Sequence, residues 1–130
     1  MVTCVSPAAV ASECVVLLHG LARSANSLLL MEWNLKRAGY DVVNVDYPSK
    51  EATIEDLADW VIPEALHKCR DAETVHFVTH SMGGILLRYY MNRINSPPER
   101  LGRSVMMGLP NKGTPVVHQL NDLPGFEIWN

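Results

Sequence analysis

The sequence predicts an α/β protein built on a parallel sheet of about four strands flanked by helices. Short apolar segments rich in Val or Leu alternate with longer segments in which apolar residues recur at helical spacing. Parallel strands covered on both faces have continuous apolar sequences, and their alternation with helices implies right-handed crossovers. The predicted strands are Cys14–His19, Val42–Asp46, Val75–Thr79 and Ser104–Gly108.

Three helices are predicted between these strands. The first covers Ser24–Ala38 and stops before a glycine that suits a C-terminal cap. The second covers Thr53–Cys69, opens with a Thr-x-x-Asp capping pattern, and is expected to kink at Pro63. The third, Gly83–Asn95, is apolar except for one polar stripe, which indicates a helix mostly buried against the sheet.

The most informative segment is Val75–Gly84, where a serine directly follows an apolar strand. Ser81 stands at the predicted strand-to-helix turn, and Gly83 lets the next helix pack close to the strand. A serine at such a turn is raised above the edge of the sheet, as in the pattern G-x-S-x-G. Thr79 replaces the first glycine and is small enough for the turn to form. The segment therefore predicts Ser81 as a nucleophile.

A second strand-to-loop signature lies upstream, where the strand beginning at Cys14 ends in His19-Gly20-Leu21. With the segment Asp41–Pro48 between the two signatures, the chain resembles the α/β-hydrolase family of serine esterases and lipases. The resemblance extends from roughly Glu13 to Pro115. It implies a partial α/β-hydrolase fold in which the loops at the carboxyl edge of the sheet carry the site.

The resemblance also implies individual roles. In the family, the backbone N–H groups after the His-Gly pair and after the nucleophile form the oxyanion hole, which carries over to Leu21 and Met82. The residues that support the two turns are His19, Gly20, His80 and Gly83. The implied activity is the cleavage of small-molecule or lipid acyl esters through Ser81, without a cofactor. The segment Asp46–Pro48 and the Leu21–Asn26 loop are expected to border the acyl pocket, and Leu109–Thr114 to form its opposite wall.

The expected acid and base of this chemistry have no matching positions. A nucleophilic serine needs a histidine oriented by a carboxylate, in the chain order Ser, Asp or Glu, then His. The histidine and carboxylates that follow Ser81 are His118, Glu99, Asp122 and Glu127. His118 falls in a helix-like segment and is not assigned as the base. We therefore expect residues 13–130 to form an incomplete α/β-hydrolase domain whose exposed sheet edge promotes self-association.

Two other function classes compete with this hypothesis. A non-catalytic hydrolase-like module would bind an acyl or peptide ligand at the same edge, and a reactive-serine probe would distinguish it. Phosphate or dinucleotide binding is disfavoured because the turn His19–Ser24 lacks both G-x-G-x-x-G and G-K-[ST]. The five histidines show no metal-ligand spacing, so no metal site is predicted.

Composition limits the partners and leaves the compartment open. The chain has 130 residues, 48% of them hydrophobic, and a net charge of −3, which gives no reason to propose nucleic acid. No apolar stretch reaches the roughly 18 residues of a membrane span. Residues 1–12 are interpreted as a leader or a signal-peptide remnant. Cys14 and Cys69 would pair in an exported protein, or remain buried thiols otherwise.

Overall fold

The computed structural model describes residues 12–94 and 99–108, and this part of the chain confirms the predicted fold class. One parallel sheet has the strand order β2-β1-β3-β4. The strands are β1 (Glu13–Leu18), β2 (Asp41–Val45), β3 (Thr74–His80) and β4 (Leu101–Met107). The helices are α1 (Leu29–Arg37), α2 (Ile54–Lys68) and α3 (Met82–Arg93). The predicted leader lies outside the described residues.

Strand β1 is central and is buried on both faces of the sheet. Its side chains alternate, so Cys14, Val16 and Leu18 pack with α2 and α3 in one core cluster. Val15 and Leu17 point the other way and form a smaller cluster on the side of α1. This division of the helices is the one that right-handed crossovers impose when β2 and β3 lie on opposite sides of β1.

The face covered by α2 and α3 holds most of the buried core. Helix α2 begins as its sequence predicts, because the Thr53 side chain accepts a hydrogen bond from the Asp56 backbone N–H at 3.1 Å. The helix continues through Pro63 to Lys68. Its apolar stripe is buried: Ile54, Leu57, Ala58, Val61, Ile62 and Ala65.

The C-terminal end of α2 is tied to the sheet in two ways. A disulfide joins Cys69 to Cys14 on β1, with a Cα–Cα distance of 5.8 Å, so the pairing that the sequence left open is formed. The Arg100 guanidinium donates hydrogen bonds to the carbonyl oxygens of Leu66 and Cys69, at 2.9 and 2.6 Å. A cation at this position satisfies the unpaired carbonyls of the last helical turn and complements the helix dipole.

The opposite face is more thinly covered. Helix α1 starts later than predicted, because Ala25–Leu28 form a 3-10 turn capped by Ser24, and α1 has no fully buried residue. Asn44 of β2 links the layers by donating to the Ala25 carbonyl and to a Glu32 carboxylate oxygen, each at 2.9 Å. The hydrogen bond from the Lys36 ammonium, followed by that from Asn44, lowers the pKa of the Glu32 carboxyl.

Two of the strands differ from the prediction of burial on both faces. β2 is only partly buried, and β4 is exposed from Gly102 to Val105. Both are outer strands, and α1 packs against β1 and β2 rather than over β4. Helix α3 also differs, because only its first half, Met82–Leu87, is buried. Among the described residues, no helix combines the length and hydropathy needed to cross a bilayer.

Candidate functional site

The serine singled out in the sequence stands alone between β3 and α3. Ser81 has φ 51° and ψ −115°, a backbone conformation that residues with a Cβ rarely adopt. Its N–H donates to the Met107 carbonyl of β4 at 2.9 Å, and its own carbonyl accepts from the Gly84 N–H at 3.0 Å. The sharp strand-to-helix turn predicted from the sequence is therefore present, and β4 anchors it.

The glycine two residues after Ser81 has a steric role. A Cβ added at Gly83 would lie 2.5 Å from the Leu18 carbonyl oxygen and 2.8 Å from the Leu18 Cβ. Real Cβ atoms essentially never approach backbone so closely, so α3 could not pack this near to β1 with any other residue there. Gly83 thus sets the depth at which α3 begins, and with it the position of the turn.

The His-Gly loop after β1 meets the serine turn, as the predicted common edge requires. A Cβ added at Gly20 would lie 2.9 Å from His80 Nδ1 and 3.3 Å from the Ser81 Cβ. Ala22, two residues further along, has a φ of 60°. Within the described ranges, Ala22 and Ser81 are the two non-glycine residues with positive φ, and strained backbone of this kind collects at functional sites.

His19 is completely buried beside Tyr47, the second residue after β2. The two rings stack with centroids 4.0 Å apart and planes inclined by 12°. The Tyr47 backbone N–H donates to His19 Nε2 at 3.2 Å, so this nitrogen carries no proton, and Nδ1–H donates to the Gly20 carbonyl at 2.9 Å. The Tyr47 hydroxyl donates to the His19 carbonyl. Burial raises the pKa of Tyr47, which keeps this hydroxyl protonated.

Two further contacts join the loop after β2 to the loop after β1. The Ala22 N–H donates to the Ser49 hydroxyl oxygen at 2.9 Å, and the Ala25 N–H donates to a carboxylate oxygen of Asp46 at 3.0 Å. The sequence pattern gives no signal for Ser49, and it predicts Tyr47 at the border of an acyl pocket. Instead, Tyr47 is buried against His19, and the signal for this was an aromatic residue directly after a strand predicted to lie in the same sheet.

The two backbone groups predicted to hold an oxyanion are near this junction. Leu21 lies between Gly20, which approaches Ser81, and Ala22, which is bound by Ser49. Met82 opens α3, where the first N–H groups of a helix have no partner within it. From the described residues, neither the Leu21 nor the Met82 N–H receives a hydrogen-bond acceptor. Their role remains a prediction.

The remaining histidines do not assemble a catalytic pair with Ser81. The His80 ring lies between Gly20 and Gly108. A Cβ added at Gly20 would be 2.9 Å from His80 Nδ1, and one added at Gly108 would be 3.3 Å from His80 Nε2. His76 Nδ1 accepts from the Arg103 N–H at 2.9 Å, and Nε2 lies 3.0 Å from Glu13. His67 is exposed at the end of α2. Of the other residues named for the acid and base, Glu99 is exposed just before β4, whereas His118, Asp122 and Glu127 lie outside the described ranges.

Three depressions in the described surface lie away from the candidate site. They have volumes of about 310 to 370 Å³ and lie at the amino edge of the sheet, on the open face of β3 and β4, and between α3 and β4. None of the three is lined by Ser81, Leu21 or Met82. Residues 109–114, predicted as the opposite wall of the pocket, lie outside the described part. In the described ranges, no three His, Cys, Asp or Glu side chains are grouped to hold a metal.

Solved structures with the same architecture support this interpretation of the fold. An extracellular α/β-hydrolase from a Paenibacillus species, described as homologous to tobacco salicylic acid binding protein 2, aligns with a TM-score of 0.58 and 21% identity. A variant of polyneuridine aldehyde esterase aligns with a TM-score of 0.61 and 22% identity. The fold is that of the α/β-hydrolases. The predicted fold class is confirmed, whereas the esterase or lipase type remains a proposal.

The alignments cover more of this chain than of the α/β-hydrolases it matches. They include 72% of this chain and 39% of the Paenibacillus protein, and 87% of this chain and 47% of the polyneuridine aldehyde esterase. The chain therefore spans less than half the length of either structure. No protein-family model matches the sequence, and no curated protein matches it.

Proposed function

We propose that this chain carries the nucleophile and the oxyanion hole of a serine hydrolase of esterase or lipase type, acting on acyl esters. The observation that carries the proposal is the backbone of Ser81, held at φ 51° between a parallel strand and a helix. Backbone strain at a single turn is retained where it serves a function, and a turn of this kind raises a hydroxyl above the carboxyl edge of the sheet. The esterase named among the similar structures supports the same reaction class.

The proposed reaction begins at the Ser81 hydroxyl. Its oxygen attacks the ester carbonyl carbon and gives its proton to a base, while the carbonyl π electrons move to the oxygen. The Leu21 and Met82 N–H groups hold this oxyanion, and losing one such donor costs about 3 kcal/mol of transition-state stabilisation. When the carbonyl re-forms, the bond to the alcohol breaks, the alcohol takes the proton, and water later releases the acyl group from Ser81.

We assign the base to none of the four described histidines. His19 is buried with both ring nitrogens engaged, and His76 is engaged at both nitrogens beside Glu13. His67 is on the last turn of α2, at the opposite end of that helix from the loop that follows β2. His80 lies between Gly20 and Gly108. The proposal therefore requires a base from outside residues 12–94 and 99–108.

A fluorophosphonate probe tests the assignment of Ser81. Because the described residues supply no base, we expect covalent labelling of the parent chain to be slow and Ser81→Ala not to be labelled at all, with p-nitrophenyl butyrate turnover following the same order. Ser104→Ala is the matched control, because Ser104 is exposed on β4 and lies outside the site. It should label like the parent. Labelling that persists in Ser81→Ala would contradict the proposal.

A non-catalytic hydrolase-like module that binds an acyl or peptide ligand is the second candidate. The engagement of His19 and His76 elsewhere favours it, because a serine without a base is a weak nucleophile. This candidate predicts a folded parent chain that the probe does not label. The thermal unfolding transition of the same sample, measured by circular dichroism, distinguishes this result from a failure to fold.

A further inference from the structure

Hydrogen bonds from the loop after β2 hold the loop after β1 at both ends of the segment from His19 to Ala22. At the beginning, Tyr47 contacts His19 through its ring, its backbone N–H and its hydroxyl. At the end, the Ser49 hydroxyl oxygen accepts from the Ala22 N–H at 2.9 Å. Tyr47 is 4% exposed and Ser49 is 6% exposed, so water competes little for either contact.

Leu21 lies between the two residues, His19 and Ala22, that these contacts hold. The hydroxyl of Tyr47 is bonded to the carbonyl of His19, which restricts rotation of the peptide plane between His19 and Gly20. Ser49 restricts the plane of the Ala22 N–H, on the other side of Leu21. Since a peptide unit turns only about its two neighbouring soft dihedrals, fixing the units on either side restricts the direction of the Leu21 N–H.

The strained backbone at Ala22 explains why hydrogen bonds from the loop after β2 are needed here. An alanine at a φ of 60° is less favourable than in the ordinary regions, so the isolated loop would prefer another conformation. The Ala22 N–H is itself the donor to Ser49, which stabilises the strained conformation. A hydrogen bond from the Arg23 N–H to the Gly20 carbonyl at 3.2 Å closes the turn around Leu21.

We propose that Tyr47 and Ser49 are positioning residues that set the direction of the Leu21 N–H toward the Ser81 turn. This inference rests on the proposed function, in which the Leu21 N–H holds the oxyanion. Neither side chain touches the ester. They act through the backbone of residues 19–22, and the value of a hydrogen-bond donor to the transition state depends on its direction.

The experiment measures the Leu21 amide directly. Amide ¹H–¹⁵N spectra of the parent, Tyr47→Phe and Ser49→Ala report the Leu21 environment without any reaction at Ser81. Tyr40→Phe is the matched control, because it makes the same chemical change next to the amino end of β2, beside His76. We expect the Leu21 resonance to move and its hydrogen exchange to speed up in both site variants, and neither to change in Tyr40→Phe.

The second readout is the rate of fluorophosphonate labelling against probe concentration. Misplacing a transition-state contact lowers the maximal rate, so we expect a fall of about 10- to 100-fold in Tyr47→Phe and less in Ser49→Ala. The half-saturating concentration should stay close to that of the parent. A merely structural contact would lower the fraction of folded protein, and it would not lower the maximal rate of the folded protein at an unchanged half-saturating concentration.

The outcomes separate this inference from the function on which it rests. A Leu21 resonance unchanged in both Tyr47→Phe and Ser49→Ala overturns the positioning role, and so does a moved resonance with an unchanged maximal rate. A folded parent that does not react overturns the proposed function, and the amide spectra then decide by themselves whether Tyr47 and Ser49 set the Leu21 backbone. If Tyr47→Phe does not fold, Ser49→Ala provides the same comparison.

Discussion

The Ser81 turn and the Gly20–Ala22 loop face each other across the candidate site, but different interactions hold them. The Ser81 turn rests on the face covered by α2 and α3, where residues 82–87 are all buried. The Gly20–Ala22 loop leads to the thinner face, where the fully buried residues are Val15, Leu17 and Leu28. Hydrogen bonds with the side chains of residues 46–49 hold this loop and its flanking residues instead.

This difference predicts how substitutions on each side of the site affect the stability of the fold. A hydrogen bond contributes on the order of 1 kcal/mol to stability, so single contacts to the Gly20–Ala22 loop can be removed in a chain that stays folded. The position of Ser81 depends on close packing between α3 and β1, which is shared with the core as a whole. Perturbing the Ser81 turn should therefore cost global stability as well.

The largest expected effect comes from the disulfide on the packed face. Replacing both Cys14 and Cys69 by Ala opens a loop with a sequence separation of 55 residues. We expect the free energy of unfolding to fall by about 4 kcal/mol, because the unfolded chain regains the entropy of that loop. Denaturant unfolding measures this, and a reductant should weaken the parent but not the double variant. Equal stabilities would mean that the packed face does not depend on the bond.

Gly83→Ala tests the packing of α3 against β1. The added Cβ would meet the Leu18 carbonyl at 2.5 Å, and backbone cannot move aside cheaply, so we expect a loss of about 2 to 3 kcal/mol. Gly102→Ala is the contrast: its Cβ lies on the exposed strand β4 and would meet His76 and Thr74 at 2.4 to 2.7 Å, but these are side-chain atoms, which can move aside more easily than backbone. A smaller loss in Gly102→Ala, measured by thermal unfolding, would confirm the difference. Equal losses would argue against it.

The pH dependence of the free energy of unfolding tests the burial of Tyr47, which holds the Gly20–Ala22 loop. Burial raises the pKa of Tyr47, so above about pH 10, the ordinary pKa of tyrosine, the unfolded chain releases this proton before the folded chain does. The free energy of unfolding should then fall as pH rises, by up to about 1.4 kcal/mol per pH unit for this one proton. Tyr47→Phe should show a shallower fall. Identical slopes in the two chains would contradict the burial argument.

The smallest effect on stability is expected at the exposed edge of the sheet. Val105 on β4 is 51% exposed, so Val105→Lys should change the free energy of unfolding by no more than about 0.5 kcal/mol. A lysine on an edge strand opposes edge-to-edge pairing. We therefore expect sedimentation to show self-association in the parent and less of it in Val105→Lys. A parent that is monomeric at all concentrations would refute the self-association predicted from the sequence.

Much of the fold was predictable because it depends on local patterns. The ends of α2 follow from a capping threonine and the spacing of its apolar residues, and both agree with the structure to within a residue. The exposure of β4 was not predictable in this way. An apolar strand sequence indicates a strand, but the number of layers that cover it depends on its position in the sheet.

In the candidate site, too, some features follow from local sequence and others depend on tertiary contacts. The sequence by itself determined the turn at Ser81, because an apolar strand ends on this serine and the glycine two residues later lets the next helix pack close to the strand. Only the tertiary structure decided the pairing of Cys14 with Cys69 and the contacts of Tyr47 and Ser49 with the loop after β1. These contacts join residues distant in the chain, and they exist because the sheet places β2 beside β1, which no short segment of sequence specifies.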